Sequence, residues 1–300
     1  MAAGEGAVNL LVFGAGGQLG REIADTVRRQ GVVATLLSHA EADIADRAAV
    51  AAAMARAAPS VVVNAAAYTK VDQAEIEPSQ AEQGNREGPA ALADACARAG
   101  VPLIHISTDY VFDGSKPAPY VEADPVAPLG VYGVSKEAGE REVRARLDRH
   151  VILRTAWVYG VYGHNFLKTM LNLARQKDSW GVVADQRGNP TATADLAEAV
   201  LAAAAQAAAG TASWGTYHFA GNGAATWHDF ASEIVDAQSR FTGRRPTVNA
   251  ITTADYPTRA RRPANSCLDS SRFAATFGVT ARPWRERTRE VVGALLSTAT

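Results

Sequence analysis

Tyr132 and Lys136 stand four residues apart in YGVSK, and in a helix that spacing puts both side chains on one face. A free tyrosine titrates near pH 10, too high for ready proton exchange at neutral pH. An ammonium beside it favours the phenolate and moves the hydroxyl toward the working range of a general acid. Thr108 ends the run VPLIHIS, at the carboxyl end of a strand, where open α/β sheets keep their ligands. Its hydroxyl could hydrogen-bond the same substrate oxygen and stabilise charge developing there. The chemistry so described is proton delivery to a carbonyl oxygen. By spacing alone the pair would equally suit a packed tyrosine beside a solvated lysine, so its weight comes from what precedes it in the chain.

What precedes it is a source of hydride. The strand-like NLLVFG runs into GAGGQLGREIADTVRRQG, with Gly14, Gly17 and Gly20 spaced G-x-x-G-x-x-G between strand and helix. Such glycines serve a tight turn, close approach of backbone to a pyrophosphate, and close packing of helix on strand. The helix N-terminus then offers free N–H groups to the phosphates. At the end of the second strand stand Leu37, Ser38 and His39, with Glu41 and Asp43 a little later. With no acid at the strand end to repel a 2′-phosphate, NADPH is mildly favoured over NADH, although no arginine claims the phosphate. In SVVVNAAAYTK three alanines end another strand and would let a cofactor lie against the backbone, and Asp43 and Ile44 could flank the adenine.

The elements that must position these groups alternate. Short β-branched runs (NLLVFG, VVATLL, SVVVNAAA, VPLIHIST, HVILRT) are separated by alanine-rich segments with charges at helical spacing, which reads as right-handed βαβ units. In PAALADACARAG, Pro89 opens a helix, Gly100 closes it, and Cys96 lies on the apolar stripe as a packed small hydrophobe. After Tyr159 glycine, tryptophan and asparagine become frequent and the alternation fades. The expected fold is α/β, a Rossmann-type doubly wound parallel sheet with a smaller C-terminal α/β substrate lobe. Residues 1–158 would form the dinucleotide-binding domain, with segments near 182–210 returning to it. Residues 159–300 would form mainly the substrate-binding lobe.

Composition narrows the partners. With 300 residues, 47% hydrophobic and 20% charged, and a net charge of -1, the chain has the balance of a globular protein with a proper core. No basic surplus suggests nucleic acid or an anionic membrane. Cys96 and Cys267 are far apart and lack metal-ligand spacing, as do the six histidines, so no metal is read from the residues. No secretory signal is read in MAAGEGAVN, and no long apolar span elsewhere, so a soluble cytoplasmic protein is expected.

The ordered pieces GAGGQLG, VNAAAYTKVDQAE, ISTDYVFDG, PLGVYGVSKEAGE, RTAWVYG, DQRGNPT and YPTRARRPANSCLD cover almost the whole chain. In them the sequence resembles the extended short-chain dehydrogenase/reductases, and within these the dTDP-4-dehydrorhamnose reductase family. The resemblance implies NAD(P)H-dependent reduction of the C4 keto group of dTDP-4-dehydro-L-rhamnose, with Tyr132 as proton donor, Lys136 on the nicotinamide ribose and Thr108 tuning the tyrosine. It also implies cofactor contacts at Gly17, Gln18, Leu19, Asp43, Ile44, Ala67, Tyr68 and Thr69, and sugar-nucleotide contacts at Thr108, Asp109 and Trp157. Asn165 and Phe166 could equally meet the nucleotide or pack a helix start, and Arg261 and Arg262 could pair with the pyrophosphate, since forked guanidinium groups suit phosphate oxygens, or stand as plain surface arginines. Mg²⁺ is implied by the resemblance alone, and a monomer or homodimer fits it. Two rival readings share the fold. A sugar-nucleotide dehydratase would need Asp-Glu after the threonine, where Thr108 is followed by Asp109 and Tyr110; an epimerase would retain its NAD. A non-catalytic regulatory subunit is the other, against which the complete set Thr108, Tyr132 and Lys136 weighs.

Overall fold

The computed structural model describes residues 8–297; the first seven residues, most of the stretch read above for a secretory signal, lie outside that range. Five parallel strands, β1 (Asn9–Phe13), β2 (Val33–Leu37), β3 (Val61–Asn64), β4 (Leu103–Thr108) and β5 (His150–Thr155), follow the β-branched runs of the sequence. A sixth, Gly215–His218, joins β5 from across the second lobe, giving the order Gly215–His218, β5, β4, β3, β1, β2. The chain therefore winds outward in both directions from β1, and the switch point between β1 and β3 is where such sheets bind ligands.

Strand alternation divides the core into two layers. Leu10 and Val12 of β1 face one way, with Val61, Val63, Ile104 and Val151, onto helix α1 (Gln18–Gln30) and the helix Thr193–Ala208 through Ile23, Leu196 and Val200. Leu11 and Phe13 face the other way, with Val62 and Ile152, onto the helices Arg47–Ala57, Gly88–Ala99 and Val131–Arg146 through Met54, Leu92, Cys96 and Val143. Cys96 is fully buried, and burial pushes its thiol up to about 12, which leaves it inert at neutral pH. The doubly wound sheet expected from the sequence is thus present, each face covered by helices.

A separate apolar cluster, built on Tyr159, Leu167, Trp180, Phe230, Ile234, Trp284 and Val292, holds the smaller lobe. In it the strands Ser179–Val183 and Thr247–Ile251 pair in parallel, and the helix Trp227–Thr242 begins at a capping box made by Thr226 and Asp229. Among the described residues no helix is long and apolar enough to cross a membrane.

Candidate active site

Between the sheet's switch point and the smaller lobe lies a cleft of roughly 1650 Å³. Its floor at one end is the glycine turn. A Cβ on Gly20 would come 2.2 Å from the Gly14 carbonyl oxygen, and one on Gly14, whose φ is +86°, would meet the Ala66 nitrogen at 2.5 Å. Turn, helix and the β3 end are thus in backbone contact, and Gly14, Gly17, Gln18 and Leu19 open onto the cleft. Gly17 takes extended dihedrals at the N-cap of α1, with no side chain closing the helix end, so its amides face the ligand space. Asp43 and Ile44 line the same end, as do the predicted Ala67, Tyr68 and Thr69 after β3. A cradle that any side chain would fill, over a free helix N-terminus, fits a dinucleotide pyrophosphate.

The end of β2 differs in detail from the sequence reading. Glu41 folds back so that its carboxylate accepts from the Ser38 amide at 2.8 Å and the Ser38 hydroxyl at 2.7 Å, bonds that hold it below the usual carboxylate range. His39, not Glu41, lines the cleft there.

At the chemical end, the helix Val131–Arg146 starts at Gly130 and lies hard against its neighbours. A Cβ on Gly133 would be 2.3 Å from the Tyr110 carbonyl oxygen, and one on Gly139 2.0 Å from that of Asn85. This close seating brings Tyr132 and Lys136 to the carboxyl end of β4, beside Thr108. All three line the cleft. Lys136 is only 2% exposed, its Nζ donates to the Ile106 carbonyl at 2.7 Å, and burial lowers it to about 8. Tyr132 moves the opposite way from the sequence expectation. Burial raises it to about 12, with the neighbouring Asp109 charge adding to this and Thr108 opposing it. The Lys136 ammonium is engaged by the Ile106 backbone carbonyl.

Asp109 is buried, takes the Thr108 hydroxyl at 3.0 Å, and is raised to about 6 by burial. Its Oδ2 has no hydrogen-bond partner although it lies beside the cleft, which suits a group that meets a polar ligand. Tyr110 stands edge-on to Tyr132, 5.6 Å between ring centroids, where a dehydratase would carry its glutamate.

Trp157 forms part of the opposite wall. It adopts φ +47°, a left-handed conformation costing of order 1–3 kcal/mol for a residue with a side chain, and stacks on Trp227 at 3.5 Å between centroids. Such strain is found where structure holds a side chain for a purpose, which favours a ligand-facing role over plain core packing. Trp227 has no role in the sequence reading. Its only local signal is the helix start that follows Thr226, and nothing in that pattern says the ring reaches Trp157.

Two predicted contacts sit differently. Asn165 does not line the cleft; it caps the helix Phe166–Gln176 through the Lys168 amide, and its Nδ2 donates to Gln18 Oε1 and the Gly160 carbonyl, both at 2.9 Å. Its path to a ligand runs through Gln18, while Phe166 lines the cleft and packs on Trp227. Arg262 does line the cleft, but its guanidinium is held by Asp72 in a two-pronged pair at 2.7 and 3.1 Å. Arg261 is exposed and outside the cleft lining. Among the described residues no group of three or more His, Cys, Asp or Glu side chains could hold a metal ion.

A family model described as the RmlD substrate binding domain matches residues 8–297. A dTDP-4-dehydrorhamnose reductase of Aggregatibacter actinomycetemcomitans is 45% identical over 286 residues, 94% of this chain and 97% of its own length. Among solved structures, a dTDP-4-dehydrorhamnose reductase of Clostridium acetobutylicum superposes with a TM-score of 0.89 at 39% identity, over 96% of this chain and 99% of its own. Another, from Bacillus anthracis in complex with NADP, gives 0.88 at 32% identity, over 95% and 98% of the two chains.

Proposed function

The chain belongs to the RmlD substrate binding domain family, and from that membership we propose that it reduces the C4 keto group of dTDP-4-dehydro-L-rhamnose to dTDP-L-rhamnose with NADPH or NADH. The observation that carries the reading is the meeting of Thr108, Tyr132 and Lys136 in one cleft with the glycine turn. A bound nicotinamide supplies the hydride. Tyr132 supplies the proton to the C4 oxygen, Thr108 holds that oxygen by a second hydrogen bond, and Lys136 holds the nicotinamide ribose. Gly17, Gln18 and Leu19 would meet the pyrophosphate, Asp43 and Ile44 the adenine, and Ala67 to Thr69 the rest of the cofactor. Asp109 and Trp157 would face the sugar nucleotide, and Arg262 its diphosphate once it leaves Asp72. The lobe within residues 159–300, apart from the Thr193–Ala208 helix, the Gly215–His218 strand and the Ser271–Phe277 helix that lie with the sheet, is the part we assign to the substrate.

The test is direct. Purified protein given dTDP-4-dehydro-L-rhamnose and either cofactor should oxidise the nicotinamide in step with formation of dTDP-L-rhamnose. Folded protein that oxidises neither cofactor would sink the reading, and tightly retained NAD with no net oxidation would favour the epimerase instead.

NADPH is the cofactor we favour. His39 stands in the cleft at the end of β2, where a 2′-phosphate would lie, and the Glu41 carboxylate is tied to Ser38. His39→Ala should lower kcat/KM with NADPH by about tenfold or more, the worth of one hydrogen bond to a charged group, and leave NADH nearly unchanged. Equal losses with both cofactors would remove His39 from the 2′ site.

A further inference from the structure

Behind the Tyr132–Lys136 face lies a buried ionic cluster that the proton and hydride steps do not touch. Glu140, one helical turn beyond Lys136, is completely buried. Its Oε1 accepts from the Ser107 hydroxyl at 2.5 Å and from Arg154 Nε at 2.9 Å, and its Oε2 from Arg154 Nη2 at 2.7 Å and Arg144 Nη1 at 3.0 Å. Arg154 comes from β5 and is itself 3% exposed. Removing such a pair from water costs as much as the pairing returns, so its presence is not explained by stability alone.

Its placement offers another explanation. Two consecutive residues of β4 are tied to two residues one turn apart on the facing helix, and the third meets the site. Ile106 O accepts from Lys136 Nζ, the Ser107 hydroxyl donates to Glu140, and Thr108 lines the cleft with Tyr132. We propose that Glu140 is a positioning residue for the reduction: it locks β4 to the helix in the register where Thr108 meets Tyr132, and it is the fixed buried anion that faces Lys136.

The charges around it make the second half of that role testable. Lys136 and Arg144 face Glu140 from its own helix, Arg154 from β5, His105 from β4 and His218 from the Gly215–His218 strand. Burial keeps both imidazoles neutral, His105 well below its ordinary value and His218 at about 4. An ammonium and two guanidinium groups therefore surround one carboxylate. Glu140 opposes the loss of the Lys136 proton that burial favours. With glutamine at 140, Lys136 would lose that anion while Arg154 and Arg144 remain, only Arg144 offset by Glu137 at 3.7 Å, and would give up its proton at lower pH.

This inference rests on Lys136 binding the cofactor, as in the proposed function, but its test needs no turnover. NADPH is titrated into each variant across a pH series and its affinity read by fluorescence, so a failed reductase assay and a failed positioning role are told apart. In Glu140→Gln the pH above which affinity is lost should fall by about one unit or more, since an opposite charge at close range acts on that scale. Arg154→Met breaks the same clamp while leaving the carboxylate, so it should move that pH upward or leave it in place. An unmoved limb in Glu140→Gln, or a downward shift in Arg154→Met, overturns the proposal. If Glu140→Gln does not fold, Arg154→Met still decides it, by an upward or unmoved limb for and a downward shift against. Ser107→Ala, which leaves no buried charge unpaired, should lower kcat several-fold at unchanged NADPH affinity. An unchanged kcat there would overturn the register half of the role.

Discussion

Tyr132→Phe should lower kcat by about 10²–10⁴, the usual worth of a positioned general acid, while NADPH affinity stays close to that of the unaltered protein. The phenol is buried and held near 12, so at neutral pH it carries its proton, as an acid must before the step. What makes it able to release that proton is local. The neighbouring Thr108 works toward the phenolate, and the Asp109 charge, its carboxyl raised to about 6, works against it. Phenylalanine keeps the ring and its edge contact with Tyr110 but has nothing to donate. Near-normal turnover in that variant would mean that another group, Asp109 in its protonated form being the nearest candidate, supplies the proton. The pH profile would then separate the two, because an acid titrating near 6 is lost as pH rises through neutrality whereas Tyr132 is not.

The parts of this site that depend on spacing within one element were legible in the sequence. The glycine turn could be read because the contacts it permits, Gly20 on the Gly14 carbonyl, lie six residues apart in the chain. Tyr132 and Lys136 share a face because any helix puts residues four apart together, and Thr108 ends a strand whose apolar run announces it. The parts that depend on which distant group comes alongside were not. Arg262 reads as a free phosphate ligand until Asp72, far earlier in the sequence, is seen to hold it. Asn165 reads equally as a nucleotide contact or as helix-start packing, and only the structure shows its side chain capping the helix and donating to Gln18. Spacing offers the Lys136 ammonium as one tuner of Tyr132, with Thr108 implied by the resemblance as the other. Spacing fixes which face Lys136 occupies, but it does not show that the Ile106 carbonyl takes its proton donors. The left-handed Trp157 carries no sequence signal at all, since tryptophan is not a residue that favours positive φ.

Lys136→Met should weaken NADPH binding by about tenfold to a hundredfold, the range for losing one hydrogen bond from a charged donor, and lower kcat/KM further still. Methionine follows the lysine stem and fills the same buried channel, so the loss reports the ammonium and not a cavity. The unaltered protein supplies the matching pH signature. Lys136 is lowered to about 8 by burial, so its charge is complete below that value and disappears as pH rises through it. Cofactor affinity should therefore be highest on the acid side and fall above about 8, and the Met variant should show no such fall because it has no proton to lose. A variant that binds NADPH as tightly as the parent, and loses it over the same pH range, would move the ribose contact to another residue. Loss of affinity with the alkaline fall intact would show that a different group titrates there. The two substitutions on one helix face thus separate by what they report: Tyr132→Phe acts on turnover at constant affinity, and Lys136→Met acts on affinity and its pH dependence before any chemistry begins.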